Sequence, residues 1–241
     1  LLIQAAAHLA RRLAGERHAL MAAGLLGGFV SSTATIATLG AQAKAAPALQ
    51  RRLAGAASLS GAATWLQVLA VAAVASPALL PRLLPMALAG ALLALLAGAW
   101  NTRGNIDAPP APQAAPRRPL RLREALWVAA LLLGVSVAVH WLRIVFGTGG
   151  LFTGSAIAAL VDAHAPIAAA LGMHAQGVIG ERDALATVAL AAGVNSASRS
   201  GVAFATGGAG FGARVGAALI ASWIAAALGL WAGSRFITLG A

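Results

Sequence analysis

Leu83 to Thr102 reads LLPMALAGALLALLAGAWNT, twenty residues without a charge between Arg82 and Arg103. A helix rises ~1.5 Å per residue, so such a stretch reaches across a hydrocarbon core of ~30 Å. Read outward from here, charged residues act as rulers. The uncharged intervals 18–43, 53–81, 125–142 and 215–234 are each long enough for one crossing. Asp162 and Arg199 interrupt two further apolar regions. Merged across those charges, the regions predict a helix over about 151–173 with Asp162 at its midpoint, and another over about 184–206 with Arg199 in its second half. The expectation is an all-α, polytopic helical membrane protein with about seven full transmembrane helices. A partial first helix precedes them, because Leu1–Ala10 is too short to cross and reads as the tail of a helix begun in a longer chain.

Composition points the same way. Of 241 residues 60% are hydrophobic and 10% charged, where a soluble domain carries ~25% charged. That excludes an ordinary soluble domain and a disordered chain, and the strands of a transmembrane barrel would alternate polar with apolar. The absence of cysteine excludes a disulfide framework, a thiolate metal site and a cysteine nucleophile. The formal charge of +11 comes from basic residues lying mostly between apolar stretches. There they meet lipid headgroups and set orientation, so the expected partner is the lipid bilayer and not nucleic acid.

Between 101 and 122 the character changes. Pro109, Pro110, Pro112, Pro116 and Pro119 accompany Arg103, Arg117, Arg118 and Arg121. Prolines at this density prevent a regular helix. The chain thus divides into a first transmembrane half (1–100), a Pro/Arg-rich linker (101–122) and a second half (123–241), with the basic linker expected on the cytoplasmic side. The halves resemble one another at an offset of roughly 130. Trp100 matches Trp231, Arg82–Gly90 can be laid on Arg214–Ser222, and Ser31–Thr35 falls on Val161–Ala165. With four helices in each half, the repeat would be parallel, about an axis along the membrane normal.

Polar residues inside apolar spans carry the functional signal. Gly24, Gly28 and Ser32 recur every four residues, a face of small side chains that admits another backbone. Ser31, Ser32, Thr33 and Thr35 put four hydroxyls into five residues, either a hydroxyl zipper between helices or the lining of a hydrated path. Asp162 is the one carboxylate deep in a span, and Pro166 withholds the N–H that would pair its carbonyl, so two oxygens meet at one kink. His164 points away on a regular helix and inward on a kinked one, as a ligand or as a core histidine. Asn195, Ser198 and Arg199 form a second polar break, with Arg199 placed to pair with Asp162. The glycines of 207–212 have neither a preceding strand nor a following Lys-Ser/Thr, so they read as a turn between spans and not as a phosphate loop.

Gly27-Gly-Phe-Val-Ser-Ser-Thr-Ala-Thr35, Ala159-Leu-Val-Asp-Ala-His-Ala165 and Asn195-Ser-Ala-Ser-Arg199 resemble the membrane domain of unknown function, the 4010 family, that forms the C-terminal half of MgtC/SapB-type bacterial proteins. The resemblance runs from about His18 onward. It implies a multi-pass protein of the bacterial inner membrane linked to magnesium transport, associated with an MgtC/SapB-type domain or with further copies of itself. Ile36, Ala37 and Arg199 depart from the commonest pattern of that family, which bears on ion specificity. The expectation is a transporter or channel-like protein for a divalent cation, magnesium, with Asp162, His164, Ser31, Ser32, Thr33 and Thr35 near the metal. The alternative is a sensor that binds the ion without moving it. No Ser/His/Asp or metalloprotease spacing supports an enzyme, and no cofactor is implied beyond Mg2+ as substrate or bound ion.

Overall fold

The computed structural model describes residues 2–103 and 122–238, with side chains at 17–103 and 133–233. Most of the 101–122 linker lies outside the described residues. All described elements are helical: α1 (Leu2–Ala45), α2 (Gln50–Ala75), α3 (Leu80–Asn101), α4 (Leu122–Ala159), α5 (His164–Ala175) and α6 (Glu181–Thr238). One-turn 3-10 helices, Pro47–Leu49 and Pro77–Leu79, lead into α2 and α3. Each opens on a proline, which lacks the N–H that a first turn would leave unpaired.

Among the described residues five stretches are long and apolar enough to cross a membrane: Arg17–Ala45, Pro47–Ala75, Pro77–Asn101, Leu133–Ala159 and Glu181–Gly233. That differs from the seven expected, and the reason is that several helices fold back. In α6, Gly208 has φ 75° and ψ −179°, a conformation that an L side chain resists. Beyond it the chain reverses. A Cβ built on Gly216 would lie 3.4 Å from that of Ser200, sixteen residues earlier, where a straight helix would separate them by ~24 Å. The turn expected at 207–212 is this hinge. Gly147 (φ 63°) does the same in α4, so that a Cβ built on Gly154 would lie 3.7 Å from the Val139 Cα.

α1 also doubles back, within the stretch expected to cross over 18–43. A Cβ on Gly27 would meet Thr35 Oγ1 at 2.7 Å, eight residues or ~12 Å further along a straight helix. The turn lies at Phe29–Ser31, where the Ser31 hydroxyl accepts a hydrogen bond from Ala34 N (3.2 Å) as the cap of the returning arm. The helix expected over 151–173 is likewise broken at Leu160–Ala163, between α4 and α5. Asp162 Oδ2 caps α5 through Ala165 N at 3.1 Å. Leu151 before this break and Leu171 after it belong to one apolar cluster, as antiparallel arms require. Both breaks fall where hydroxyl or carboxylate side chains can hold a new helix N-terminus.

Hydrogen bonds fix which ends meet. Arg17 and Arg51 reach the carbonyls of Ala99 and Trp100, and Gln50 accepts from Arg214 near the Gly208 hinge. At the opposite end Arg82 pairs with Glu181 (3.2 Å) and Ser76 bonds His174 (2.9 Å). So α2 runs from the first end to the second, and the 181–207 arm of α6 runs from the second to the first. The stretches matched at an offset of about 130 therefore point in opposite directions, contrary to the parallel arrangement expected from sequence. Each end has an apolar cluster, one including Ile36, Leu53, Phe211 and Val215, the other Leu79, Leu83, Met86, Ile167 and Val188. The two helix breaks lie between them.

Gly24 and Gly28 let the first arm of α1 lie on α2. A Cβ on Gly24 would overlap the Ala56 carbonyl, and one on Gly28 would fall 2.7 Å from the Ser60 Cα. Backbone cannot yield as a flexible side chain can, and overpacking typically costs about 1–3 kcal/mol. Gly28→Leu is therefore expected to lower the thermal unfolding midpoint and the yield of monodisperse protein in detergent, although it adds hydrophobicity. Gly172→Ala, where nothing lies within 4 Å, should leave the midpoint unchanged or raise it.

Candidate functional site

Breaking a helix inside an apolar bundle frees backbone carbonyls and amides that no water reaches. The sequence answers at each break with a polar side chain from a neighbouring helix. Gln67 of α2 donates through Nε2 to Phe29 O (3.1 Å), and Ser198 of α6 donates to Leu160 O (2.6 Å). The two bonds are counterparts, since donor and acceptor of the second each lie 131 positions beyond those of the first. The caps repeat at the same offset, Ser31 on Ala34 N and Asp162 on Ala165 N. Asn195 adds a bond from Nδ2 to Ala159 O (3.0 Å).

Between the breaks lies a pocket of about 190 Å³. Gly28, Val30, Ser31, Ser32 and Thr33 line it from α1, and Gln67 from α2. Val161, Asp162 and His164 line it from the second break, with Asn195 and Arg199 from α6. The residues singled out in sequence are thus largely brought together. Thr35 is not among the lining residues; it is buried, donating to Ser31 O at 2.8 Å. Ser198 braces the wall from behind.

Asp162 and Arg199 share the pocket without forming an ion pair. Asp162 Oδ1 is instead 2.8 Å from His164 Nδ1, so the kink does turn this histidine inward. The Arg199 side chain is buried (3% exposed), and its Nη1 donates to Thr64 Oγ1 at 2.8 Å. Thr64 in turn lies 3.1 Å from Ser32 Oγ, which reaches Ser60 O (3.0 Å) and Gly28 O (3.2 Å). A chain of bonds therefore ties Arg199 of the second half to the α1 break of the first. Three buried polar atoms on residues that line the pocket have no hydrogen-bond partner among the described residues: Arg199 Nε, His164 Nε2 and Gln67 Oε1. Buried polar atoms are ordinarily paired, and orphans in a cavity mark a place for water or ligand.

Thr64, Ser60 and Gln67 were passed over in the sequence. Their signal was available as polar residues at 58, 60, 64 and 67 within the uncharged 53–81 interval. The Gln67 and Ser198 bonds lie at exposed positions of the bundle, where a hydrogen bond contributes about 0.5–1.5 kcal/mol net. Gln67→Leu and Ser198→Ala should therefore each destabilise the protein by that amount in thermal unfolding, since each orphans one break-point carbonyl. A loss confined to one of the two variants would mean that the breaks are not equivalently supported.

Neither the curated proteins nor the solved structures offer a match to this chain. A family model does match over residues 1–207, most of the sequence and both helix breaks. The chain belongs to the family described as Domain of unknown function (DUF4010).

Proposed function

We propose that this protein is a multi-pass transport protein of the bacterial inner membrane, and that the pocket between the two helix breaks is its solute site at mid-depth. The observation carrying this reading is the convergence of two broken helices on one polar pocket inside an otherwise apolar bundle. Irregular backbone at membrane depth is tolerated where protein buries it or where it lines a hydrated cavity, and it recurs at transporter substrate sites. In this reading α2, α3, the arm of α4 before Gly147 and the two arms of α6 cross the bilayer. The arms of α1 form a hairpin entering from one face, and the 148–159 arm of α4 with α5 forms a hairpin entering from the other.

The recurrence at 131 positions, with opposite directions, is read as an inverted repeat whose pseudo-axis lies in the membrane plane. Such a pair offers two nearly equivalent arrangements, each opening the central site to one face. The cytoplasmic face is assigned to the end bearing Lys44, Arg51, Arg52, Arg103 and Arg214, where basic residues predominate among those whose side chains are described. The other end mixes Arg82 and Arg182 with Glu181 and Asp183. Basic residues concentrate on the inner side.

The magnesium reading draws on Asp162, His164 and the hydroxyls of Ser31, Ser32, Thr33 and Thr35, to which the pocket adds Gln67 Oε1. Mg2+ requires about six oxygens at ~2.1 Å and commonly keeps several waters. Among the described residues no cluster of three His, Asp or Glu is present, both Asp162 oxygens already accept hydrogen bonds, and Arg199 brings a fixed positive charge into the same pocket. The pocket volume suits a solute of several heavy atoms better than a bare ion.

The test uses the natural absence of cysteine. Thr33→Cys in oriented membrane vesicles is expected to react with a small membrane-impermeant thiol reagent applied to either face, as alternating access requires. Reaction from one face alone under every condition would sink the transport reading and favour the sensor, which needs no second opening. A cysteine at Lys44 labelled only from outside would reverse the orientation.

A further inference from the structure

A broken helix offers a cation its C-terminal carbonyls and an anion its N-terminal amides. At the breaks three carbonyls are already engaged by side chains, Phe29 O by Gln67, Leu160 O by Ser198 and Ala159 O by Asn195. The helix starts are placed differently. The segments that begin the returning arm of α1 and α5, capped by Ser31 and Asp162, both line the pocket.

Arg199 supplies the second and independent observation. It is almost fully buried, lines the pocket, and has no partner for Nε. A buried guanidinium demands a counter-charge or a full set of acceptors. The carboxylate lining the pocket, Asp162, is engaged by His164 Nδ1 and Ala165 N and makes no ion pair with Arg199. Arg199 Nε is the unpartnered donor that carries a fixed charge, beside the neutral Gln67 Oε1 and His164 Nε2, which are also without a partner among the described residues. Resting on the transport reading above, we infer that the pocket takes an anionic group of a small solute, a carboxylate or compact oxyanion. Arg199 is its principal contact, with the Ser31 and Thr33 hydroxyls beside it. The guanidinium fork matches such a group in geometry as well as charge, which a lysine ammonium would not.

Thermal unfolding of the detergent-solubilised chain, followed by tryptophan fluorescence, reads binding without requiring a pathway. In a background of bulky gluconate, formate, acetate and nitrate are titrated as sodium or choline salts, and magnesium gluconate is titrated separately. At least one of the small anions is expected to raise the midpoint saturably and independently of its cation, with magnesium giving no such rise. Arg199→Lys, which retains the charge and the fold, should weaken the effect at least ~10-fold in apparent affinity. Where Arg199→Gln also folds, it should abolish the effect. A second measurement needs no change at Arg199. At Thr33→Cys, anionic thiol reagents should react at least ~10-fold faster than cationic ones after normalisation to a free thiol, and the anion that stabilises should slow them. Stabilisation by magnesium alone, no shift with any anion, undiminished anion binding in Arg199→Lys, or a preference for cationic reagents would each overturn the inference. Reactivity of that cysteine from both faces would still leave the transport reading standing in those cases, whereas one-sided reactivity counts against transport and leaves anion binding intact.

Discussion

Everything in this bundle follows from the need to satisfy backbone polar groups where a helix stops short inside an apolar interior. An intact helix pairs its own N–H and C=O groups and asks nothing of its neighbours. A broken one exposes several of each, at a cost of several kcal/mol per unsatisfied group away from water. Three side chains on two neighbouring helices meet that need: Gln67 on α2, and Asn195 and Ser198 on α6. Their placement fixes how deep each hairpin sits and which helix it leans on. The polar centre is therefore the structural consequence of the breaks, before any ligand is considered.

Close packing makes those short bonds possible. A side-chain amide reaches a neighbouring backbone only if the helices approach within the reach of small residues. Gly24 and Gly28 provide that approach on α1, where a Cβ would run into Ala56 or Ser60. Elsewhere Gly90 makes room for the Trp65 ring, whose Nε1 donates to Ser222 Oγ (2.8 Å), itself a donor to Gly90 O (2.7 Å). The tryptophan is thus fixed in both packing and hydrogen bonding. Apolar clusters pack the bundle towards its two ends, and the polar middle is held by hydrogen bonds.

The spacing of charges identified α2 and α3 correctly because those helices are uninterrupted from end to end. It misread α1 because hydropathy measures length and not direction: two half-length arms joined by a turn contain as many apolar residues as one crossing. What distinguishes them is capping chemistry, a Ser or Asp three residues before the first paired amide, which Ser31-Ser32-Thr33-Ala34 and Asp162-Ala163-His164-Ala165 both supply. The hydroxyl run and the lone carboxylate stood out in the sequence for their cost in lipid, so the site was legible as polarity even where the turns were not. The α2 contribution was not, because Thr64 and Gln67 are neutral and the rulers were charges. The ion pair expected between Asp162 and Arg199 does not form because His164, turned inward by the break, takes the carboxylate first.

The correspondence at 131 positions also shows where the halves differ. Asp162 answers to Ser31, His164 to Thr33, Asn195 to Thr64 and Arg199 to Val68. The frame is shared, while every charged or titratable group in the pocket comes from the second half. The first half contributes hydroxyls and an amide, enough to support its own break and neutral in charge. On the proposed inverted-repeat reading the two halves must be alike in mechanics if either is to move against the other, but a single pocket has room for one set of charges. Concentrating the charges in one half meets both demands, because a second Arg and Asp at the mirrored positions would place like charges across a pocket of about 190 Å³. Repulsion there would be strengthened by the low dielectric, and the pocket would lose the difference in charge between its two walls.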